Sequence, residues 1–531
     1  MKLPTIERIS DRHADLLRDE SRTSGTAATV CFPACEEDVC AVLADMHGSS
    51  TPVTVQGART GIAGGAVPNG GHLMNLSRMR RIAGCRFDGG SATFFLTVEP
   101  GVLLSQVTDF VSTCTTDTTE WSPDSLESLE LLRNSEPRHF AVDPTETSAS
   151  IGGMAACNAS GAHSFGFGPM RRHVNALRVV LADGTPLIVR RGGLRASGRT
   201  LRLKLDDGRN LFCALPSYAM PSSKNVAGYF VQDNMELLDL FIGAEGTLGV
   251  ITEIELRLAP RPQHSIGIVA FLPSEDAAVN LVRAVRGEDV PRIDSLPGEG
   301  PVALEYFDRG ALDLLRQQKA TNPAFSELPD IPSSHEAAVF MEFTDDEEAM
   351  MESIAAVTGI IAAVGGSEDS AWLADSDRER KRLTFFRHAV PEAVNLTIDQ
   401  RRKELPTITK LGTDMSVPDL QLKRVMTMYR RDLAESGLES VIFGHIGNNH
   451  VHVNILPRSV EEFARGKQLY NRWAEQVVAM GGSPAAEHGV GKMKRHFLKL
   501  LYGEEGVSQM RLVKELFDPG HLLNRGNWFE Q

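Results

Sequence analysis

The chain of 531 residues is longer than a single hydrophobic core allows, and its length predicts two to four domains. A net charge of −14 argues against non-specific binding to nucleic acid or to an anionic membrane, because both need clustered Lys and Arg. Residues 1–20 contain no apolar signal core, and no apolar run reaches the length of a bilayer, so we expect a cytoplasmic location.

The seven cysteines are an odd number and indicate reduced thiols rather than a disulfide framework. Cys31, Cys35 and Cys40 are close in sequence. However, the pattern predicts a strand, a break and a helix over residues 29–47, which would disperse the three thiols, and no fourth ligand lies nearby. We therefore predict no iron–sulfur cluster in this chain, and an iron–sulfur partner would have to be another chain.

The first third of the chain alternates predicted strands and helices, and it contains three segments rich in glycine and other small residues. These are residues 57–68 (GARTGIAGGAVP), 143–161 (DPTETSASIGGMAACNASG) and 241–253 (FIGAEGTLGVITE). Glycines allow backbone N–H groups to approach an anion or a flat ring closely. The chain has no G-x-G-x-x-G fingerprint, which argues against a Rossmann dinucleotide site.

Two further segments are predicted as solvated surface loops without a chemical motif. Residues 115–138 are acidic and Ser-rich, and residues 190–225 are basic. After residue 262 the pattern changes to repeated units of a strand followed by a helix, continuing to about residue 440. This pattern indicates an α+β domain with an antiparallel sheet that carries helices on one face.

Residues 443–454 (FGHIGNNHVHVN) place three histidines, His445, His450 and His452, within eight residues. The alternation after His450 predicts a half-buried strand, and a glycine turn would let His445 fold back beside His452. Imidazoles suit Zn, Fe or Mn, and such a site is usually completed by a carboxylate. Glu487, in residues 485–492 (AAEHGVGK), is the candidate. The alternative is a set of hydrogen-bonded surface histidines.

Six segments in this order resemble the FAD-linked 2-hydroxy-acid dehydrogenases, flavoproteins of the vanillyl-alcohol-oxidase type that include D-lactate, glycolate and D-2-hydroxyglutarate dehydrogenases. The segments are GARTGIAGGAVP, TSASIGGMAACNASG, GAEGTLGVITE, GHIGNNHVH, AAEHGVGK and DPGHLLN. The resemblance implies an α+β protein with a PCMH-type FAD-binding domain in residues 1–260. Residues 261–480 would form a cap, or substrate, domain that carries the metal-binding histidines, and residues 481–531 would return to the FAD domain.

The resemblance also implies bound FAD. Related enzymes attach the flavin covalently through a His or Cys in the first glycine-rich loop, where this chain has Arg59 and neither of those residues, so we expect non-covalent FAD. The first loop would hold the pyrophosphate, the second segment would line the isoalloxazine, and the third would close over the adenine side. The expected FAD contacts are Gly57, Arg59, Thr60, Gly61, Gly64, Gly65, Pro144, Thr147, Ser150, Gly152, Gly153, Asn158, Ser160, Gly161, Glu245, Gly246, Ile251 and Asn524.

The family's metal ligands correspond to His445, His452 and Glu487, with Zn the expected ion and Fe or Mn as alternatives. His488 would be the base that takes the proton of the substrate hydroxyl. The chain departs from the family at residues 448–450, Asn-Asn-His, where the family usually has Asp-Gly-Asn. His450 is therefore a substrate contact, an extra metal ligand or a second base.

Two further residues are assigned to the substrate by the resemblance. Arg387 matches the arginine that binds the substrate carboxylate, with a helix-surface arginine as the alternative. Lys410 is shifted relative to the K-x-D-x-S-x-P arrangement of the hydroxyglutarate enzymes, so the resemblance does not assure a distal carboxylate in the substrate.

The predicted function is FAD- and metal-dependent oxidation of a small D-2-hydroxy acid, similar to D-lactate, to the 2-oxo acid. The electrons would pass to a separate acceptor: an electron-transfer flavoprotein, an iron–sulfur subunit or a quinone. Three alternatives use the same fold: a transferase similar to alkylglycerone-phosphate synthase, an oxidase that uses O₂, and a flavoprotein subunit that mainly transfers electrons. Glu487 stands where the transferase has a histidine, which favours the dehydrogenase. A homodimer is left open.

Overall fold

The computed structural model describes residues 4–296 and 300–530. They form an N-terminal lobe, made of residues 4–260 together with the segment 485–530, and a cap lobe, made of residues 264–479. The class is α+β, as predicted. No helix within the two described ranges combines the length and the apolar composition needed to cross a bilayer.

The N-terminal lobe begins with a small sheet that carries the first glycine-rich loop. β2 and β3 both pair in parallel with β4; the helix α1 connects β2 to β3, and residues 57–71 connect β3 to its parallel neighbour β4. The loop of residues 57–68 starts directly after β3. The strands are β1 (Glu7–Arg8), β2 (Thr29–Cys31), β3 (Val53–Gln56) and β4 (His72–Asn75), in the order β1-β2-β4-β3, and the helix is α1 (Glu36–Gly48).

A larger antiparallel sheet forms the body of this lobe, in the order β5-β6-β12-β8-β9, with β7 also pairing with β12. Its strands are β5 (Ile82–Asp88), β6 (Thr93–Val98), β7 (Arg138–His139), β8 (Val174–Val180), β9 (Pro186–Arg190) and β12 (Val250–Pro260), and a separate hairpin consists of β10 (Thr200–Lys204) and β11 (Asn210–Ala214). The helices are α2 (Leu104–Thr113), α3 (Pro123–Arg133), α4 (Ile151–Cys157), α5 (Ser164–Phe167), α6 (Met170–His173) and α7 (Leu237–Phe241).

The cap lobe is built on a seven-stranded antiparallel sheet in the order β16-β13-β15-β14-β18-β19-β17. The strands are β13 (His264–Leu272), β14 (Ala303–Asp308), β15 (Ala337–Asp345), β16 (Ala371–Ala374), β17 (Leu411–Gly412), β18 (Ser440–Gly444) and β19 (His452–Ile455). The helices are α8 (Glu275–Val285), α9 (Arg309–Thr321), α10 (Glu347–Ala363), α11 (Asp377–Arg402), α12 (Leu422–Ser436) and α13 (Val460–Ala479).

The expectation that helices cover one face of the cap sheet is wrong, because both faces are covered. Ile268 and Ala270 of β13 pack in one core with side chains of α8 and α10. Val269 and Phe271, which point the other way, pack in a second core with side chains of α9 and α11. A strand that is buried on both faces is apolar at every position, as this one is from residue 266 to 272.

The two segments predicted as solvated loops are also more ordered than expected. Residues 115–138 contain α3, which starts at the N-cap Ser122 and the favoured Pro123, and which packs on β5. Residues 190–225 contain the hairpin of β10 and β11. The run directly after this segment, residues 226–231, is largely buried, so the chain returns to the core there.

The C-terminal segment returns to the N-terminal lobe through α14 (His496–Phe517), which is kinked at Gly503. Leu523 forms a parallel bridge with Val53 beside the small sheet. The ammonium group of Lys514 is buried and donates to the carbonyl oxygens of Thr247 and Leu523 and to the carboxylate of Asp518. The same carboxylate accepts the N–H groups of residues 522 and 523, so this ion pair fixes the C-terminal segment.

Replacing Lys514 with Met should destabilise this attachment, because it leaves the carboxylate of Asp518 buried without its cation. Losing one partner of a buried pair costs about 3–5 kcal/mol of the free energy of unfolding. The matched control is Lys499→Met on the same helix, where both partners of the Lys499–Glu504 pair are exposed. We expect a lower midpoint of urea denaturation, followed by circular dichroism, for the first variant and no measurable change for the second. Equal midpoints would contradict the role of the pair.

Candidate functional site

A cavity of about 390 Å³ is lined by the glycine-rich segments, by His445 of the cap lobe and by residues of the C-terminal segment. Its volume is within the usual range for sites that bind small molecules. Three of the expected FAD contacts, Gly64, Thr147 and Asn158, are not on its wall. The remaining expected contacts line the cavity: Gly57, Arg59, Thr60, Gly61, Gly65, Pro144, Ser150, Gly152, Gly153, Ser160, Gly161, Glu245, Gly246, Ile251 and Asn524.

The first loop offers a cradle for an anion. Within the described part of the chain, the backbone N–H groups of residues 59–65 donate no hydrogen bond. Successive free N–H groups of this kind suit a phosphate. The loop is held close to α4, because the hydroxyl of Ser150 accepts the N–H of Ala58 at 3.1 Å. A Cβ at Gly57 would overlap that hydroxyl, so this position requires glycine. The cradle fits the pyrophosphate of FAD.

A cysteine lies on the cavity wall outside the first loop. Burial, together with the charges of Glu245 and Asp19, raises the pKa of the Cys157 thiol to about 12. The thiolate is the nucleophilic form of cysteine, so this protonated thiol is a poor candidate for attaching the flavin. Non-covalent FAD stays a prediction.

The far end of the same cavity is lined by His445, Glu487 and His488. Glu487 Oε1 lies 3.3 Å from His445 Nε2 and 3.3 Å from His452 Nε2. A Cβ at Gly444 would be 2.7 Å from His452 Cδ2, so this glycine permits the close approach of the two histidines. The alternative of exposed surface histidines is wrong, because the side chains of His445 and His452 are only 15% and 13% exposed.

Each of these two imidazoles has an acceptor on its outer nitrogen. His445 Nδ1 lies 2.8 Å from Glu305 Oε1, and His452 Nδ1 lies 2.9 Å from the carbonyl oxygen of Thr413. Metal-binding histidines usually use their second nitrogen in this way, because the outer contact fixes the tautomer and the ring orientation. Two nitrogens and a carboxylate oxygen that converge, with outer acceptors in place, could hold a divalent cation.

Electrostatics in the histidine cluster are set by its carboxylates. Burial lowers the pKa of His445, but Glu487 and Glu305 outweigh this effect and raise it to about 9. The imidazole therefore carries a proton that an arriving cation would displace. The pKa of Glu487 lies well below its usual value, because Lys224 and the histidines outweigh the effect of burial. Glu487 is therefore ionised.

Lys224 is a site residue that the sequence interpretation missed. Its ammonium group donates to Glu487 Oε2, which also accepts the hydroxyl of Ser160 at 3.1 Å. These two donors bind Oε2 of Glu487, and Oε1 faces His445 and His452. The available signal was the apolar run VAGYFV directly after Lys224 and Asn225, since a core-like run contradicts a solvated loop.

Asp414 was also missed, although it lies within the segment considered for Lys410. Its carboxylate is buried and accepts the N–H groups of Glu487 and His488 at 3.0 and 3.1 Å, and Lys494 Nζ at 2.7 Å. His488 Nδ1 lies 3.5 Å from the same carboxylate. Burial lowers the pKa of His488 to about 4, so the imidazole is neutral and can accept a proton.

Arg387 and Lys410, the two residues assigned to the substrate, lie in different surroundings. Arg387 is not an exposed helix-surface residue: its side chain is 13% exposed and its Nε lies 3.6 Å from Glu305 Oε2. Lys410 is not joined to the histidine cluster by any contact among the described residues. Burial, followed by the charge of Arg22, lowers its pKa, and Asp399 acts in the opposite direction.

Two family profiles match the chain. The profile of the FAD binding domain matches residues 27–115 and 130–190, and the profile described as FAD linked oxidases, C-terminal domain, matches residues 261–528. These matches confirm the predicted fold, a PCMH-type FAD-binding domain followed by an α+β cap. Solved structures of alkyldihydroxyacetonephosphate synthase align with a TM-score of 0.56 at 14% identity, covering 95% of this chain and 76% of that chain. At this identity the likeness concerns the fold alone.

Similar proteins match nearly the whole chain. A probable mitochondrial D-lactate dehydrogenase of Danio rerio is 28% identical, covering 100% of this chain and 93% of its own length. A D-lactate dehydrogenase of Anaerostipes hadrus is 28% identical, and the alignment covers 92% of this chain and 87% of that protein's length. A D-2-hydroxyglutarate dehydrogenase of Xanthomonas citri pv. viticola is 27% identical, and the alignment covers 94% of this chain and 89% of that protein's length. The chain therefore belongs to the family of FAD-linked oxidases, and it is an FAD-linked oxidoreductase of the class that acts on CH–OH groups.

Proposed function

We propose that the chain oxidises a small D-2-hydroxy acid, similar to D-lactate, to the 2-oxo acid and passes the electrons to a separate acceptor. A divalent cation, Zn by preference, is held by His445, His452 and Glu487. The observation that carries the proposal is the shared cavity: His445, Glu487 and His488 stand on the same wall as the glycine-rich segments. A substrate in this cavity meets the histidine cluster and the flavin together.

FAD would supply the acceptor for the hydride from C2 of the substrate, and a divalent cation on His445, His452 and Glu487 would lower the pKa of the substrate hydroxyl. His488 takes the hydroxyl proton at Nε2. Its Nδ1 faces Asp414, whose negative charge stabilises the imidazolium that forms. Arg387 binds the substrate carboxylate with its guanidinium group. The products are the 2-oxo acid, the reduced flavin and the protonated imidazole.

The same proposal divides the chain by function. Residues 1–260 bind FAD, residues 261–480 supply the substrate and metal contacts, and residues 481–531 return the C-terminal segment to the FAD domain. His450 is proposed to contribute to the site beside the cation ligands, and Lys410 on the substrate side. The electron acceptor is an electron-transfer flavoprotein, an iron–sulfur subunit or a quinone.

The direct test is an anaerobic screen of 2-hydroxy acids that follows bleaching of the flavin absorbance. We expect D-lactate or a related D-acid to bleach the flavin, and the L-enantiomer to react far more slowly. Reoxidation by an artificial acceptor but not by air would separate the dehydrogenase from an oxidase. If none of the acids bleaches the flavin, the proposal fails and the transferase becomes the better hypothesis for the function of the chain.

Replacing Arg387 with Lys should raise KM, because an ammonium group cannot reproduce the two-pronged contact of a guanidinium with a carboxylate. The loss of a charged hydrogen bond, about 1.5–3 kcal/mol, corresponds to a decrease of roughly 10- to 100-fold in kcat/KM. Arg401→Lys, on the same helix but paired with Glu439, is the matched control. Steady-state kinetics should show a change only in the first variant, and unchanged kinetics in both would remove Arg387 from the substrate site.

Substitutions should distinguish the residues that bind the metal from the residue that acts as the base. His445→Ala, His452→Ala and Glu487→Ala should each lose the divalent metal and flavin reduction while FAD stays bound. His488→Ala should keep both metal and FAD, with turnover lowered by about 10²- to 10⁴-fold, and its residual rate should rise with pH as hydroxide replaces the base. Elemental analysis alongside anaerobic flavin reduction measures this. Parent-like metal content in the first three variants, or a parent that holds no metal and ignores chelators, would refute the metal mechanism.

A further inference from the structure

His450 is fully buried, yet its Nδ1 has no hydrogen-bond partner among the described residues. A buried polar atom without a partner is costly, and native proteins rarely keep one unless an ion or another group completes it. The residue also departs from the family, which usually has Asn at this position. Next to the proposed cation site the structure therefore contains a buried imidazole whose Nδ1 has no hydrogen-bond partner among the described residues.

The orientation of His450 repeats that of its two neighbours. The outer nitrogens of His445 and His452 face Glu305 and the carbonyl oxygen of Thr413. In the same way, His450 Nε2 lies 3.2 Å from Asp414 Oδ1. The inner nitrogen of His450 then points at the same carboxylate as theirs, with Nδ1 3.9 Å from Glu487 Oε2. All three rings thus place an acceptor outside and a free nitrogen inside.

We propose that His450 is a third imidazole ligand of the cation, which it binds through Nδ1, so that the site is a three-histidine, one-glutamate set. The inference rests on the proposed function, which supplies the cation. One ligand atom from each of His445, His450, His452 and Glu487 lies within 4.8 Å of the others. Ligands of a tetrahedral zinc ion are about 3.3 Å apart, as bond lengths of about 2.0–2.1 Å require. The two distances of 3.3 Å to Glu487 Oε1 already match this spacing.

The donor set selects a class of cation and constrains the substrate. Three imidazoles and one carboxylate suit Zn, Fe or Mn, whereas Mg and Ca prefer oxygen ligands. A cation held by four ligands from the protein would have to accept a fifth ligand for the substrate oxygen to bind it directly. An ordinary buried histidine would have partners on both ring nitrogens, as His72 has in Thr29 and Cys31, whereas Nδ1 of His450 has none among the described residues.

The test counts imidazoles by X-ray absorption spectroscopy on the FAD-containing protein loaded with one equivalent of Zn²⁺. We expect three imidazoles per zinc in the parent and two in His450→Asn, which restores the family residue. Competition with a chelator should show Zn²⁺ affinity at least about tenfold weaker in the variant. His72→Asn, which alters a fully buried imidazole outside the cluster, is the matched control and should keep three imidazoles and the parent affinity. FAD content and circular dichroism check that each variant is folded.

The outcomes are distinct. Two imidazoles per zinc in the parent, or equal Zn²⁺ affinities in the parent and His450→Asn, would overturn the assignment of His450 as a ligand. Either result would leave the proposed function intact. A parent that binds no Zn²⁺, Fe²⁺ or Mn²⁺ would overturn both this inference and the metal part of the proposed function. Because the parent's imidazole count requires no variant, the inference remains testable even if His450→Asn fails to fold.

Discussion

The carboxylate of Asp414 is the interaction on which the arrangement of the site depends. It accepts the backbone N–H groups of Glu487 and His488, two successive residues whose side chains have different proposed roles. The backbone carbonyl of Asp414 accepts the N–H of Ala486 in addition. Burial of an ionised carboxylate is costly unless its oxygens are satisfied, and Lys494 supplies the opposing charge. One residue of the cap lobe thus fixes both the candidate ligand and the candidate base.

A second buried carboxylate holds the other side of the same segment. Glu245 of the N-terminal lobe accepts the N–H groups of Val490 and Gly491 at 2.7 and 2.8 Å. The segment around His488 is therefore tied to the cap lobe before it and to the N-terminal lobe after it. The candidate base His488 lies between these two attachments. Its position relative to the cavity therefore depends on the packing of both lobes, and neither lobe alone completes the site.

The sequence predicted the parts of the site that are local and missed the parts that are distant. Glycine-rich loops and clustered histidines have a recognisable spacing, which is why both ends of the cavity were found. Lys224, Glu305 and Asp414 have no such spacing, because their roles come from burial beside residues that lie far away in the chain. The covered second face of the cap sheet was also missed, although the uninterrupted apolar run of β13 is the pattern that a strand buried on both faces gives.

The charges around the site favour an acid as the substrate. Each of three carboxylates around the cluster is paired with one cation, so these three pairs together carry no net charge. A divalent cation would add two positive charges to a buried region. The carboxylate of a 2-hydroxy acid brings one negative charge that an alcohol without a carboxylate lacks, so the acid compensates more of the added positive charge. The side chains in this count are Glu305, Asp414 and Glu487 against Lys224, Arg387 and Lys494.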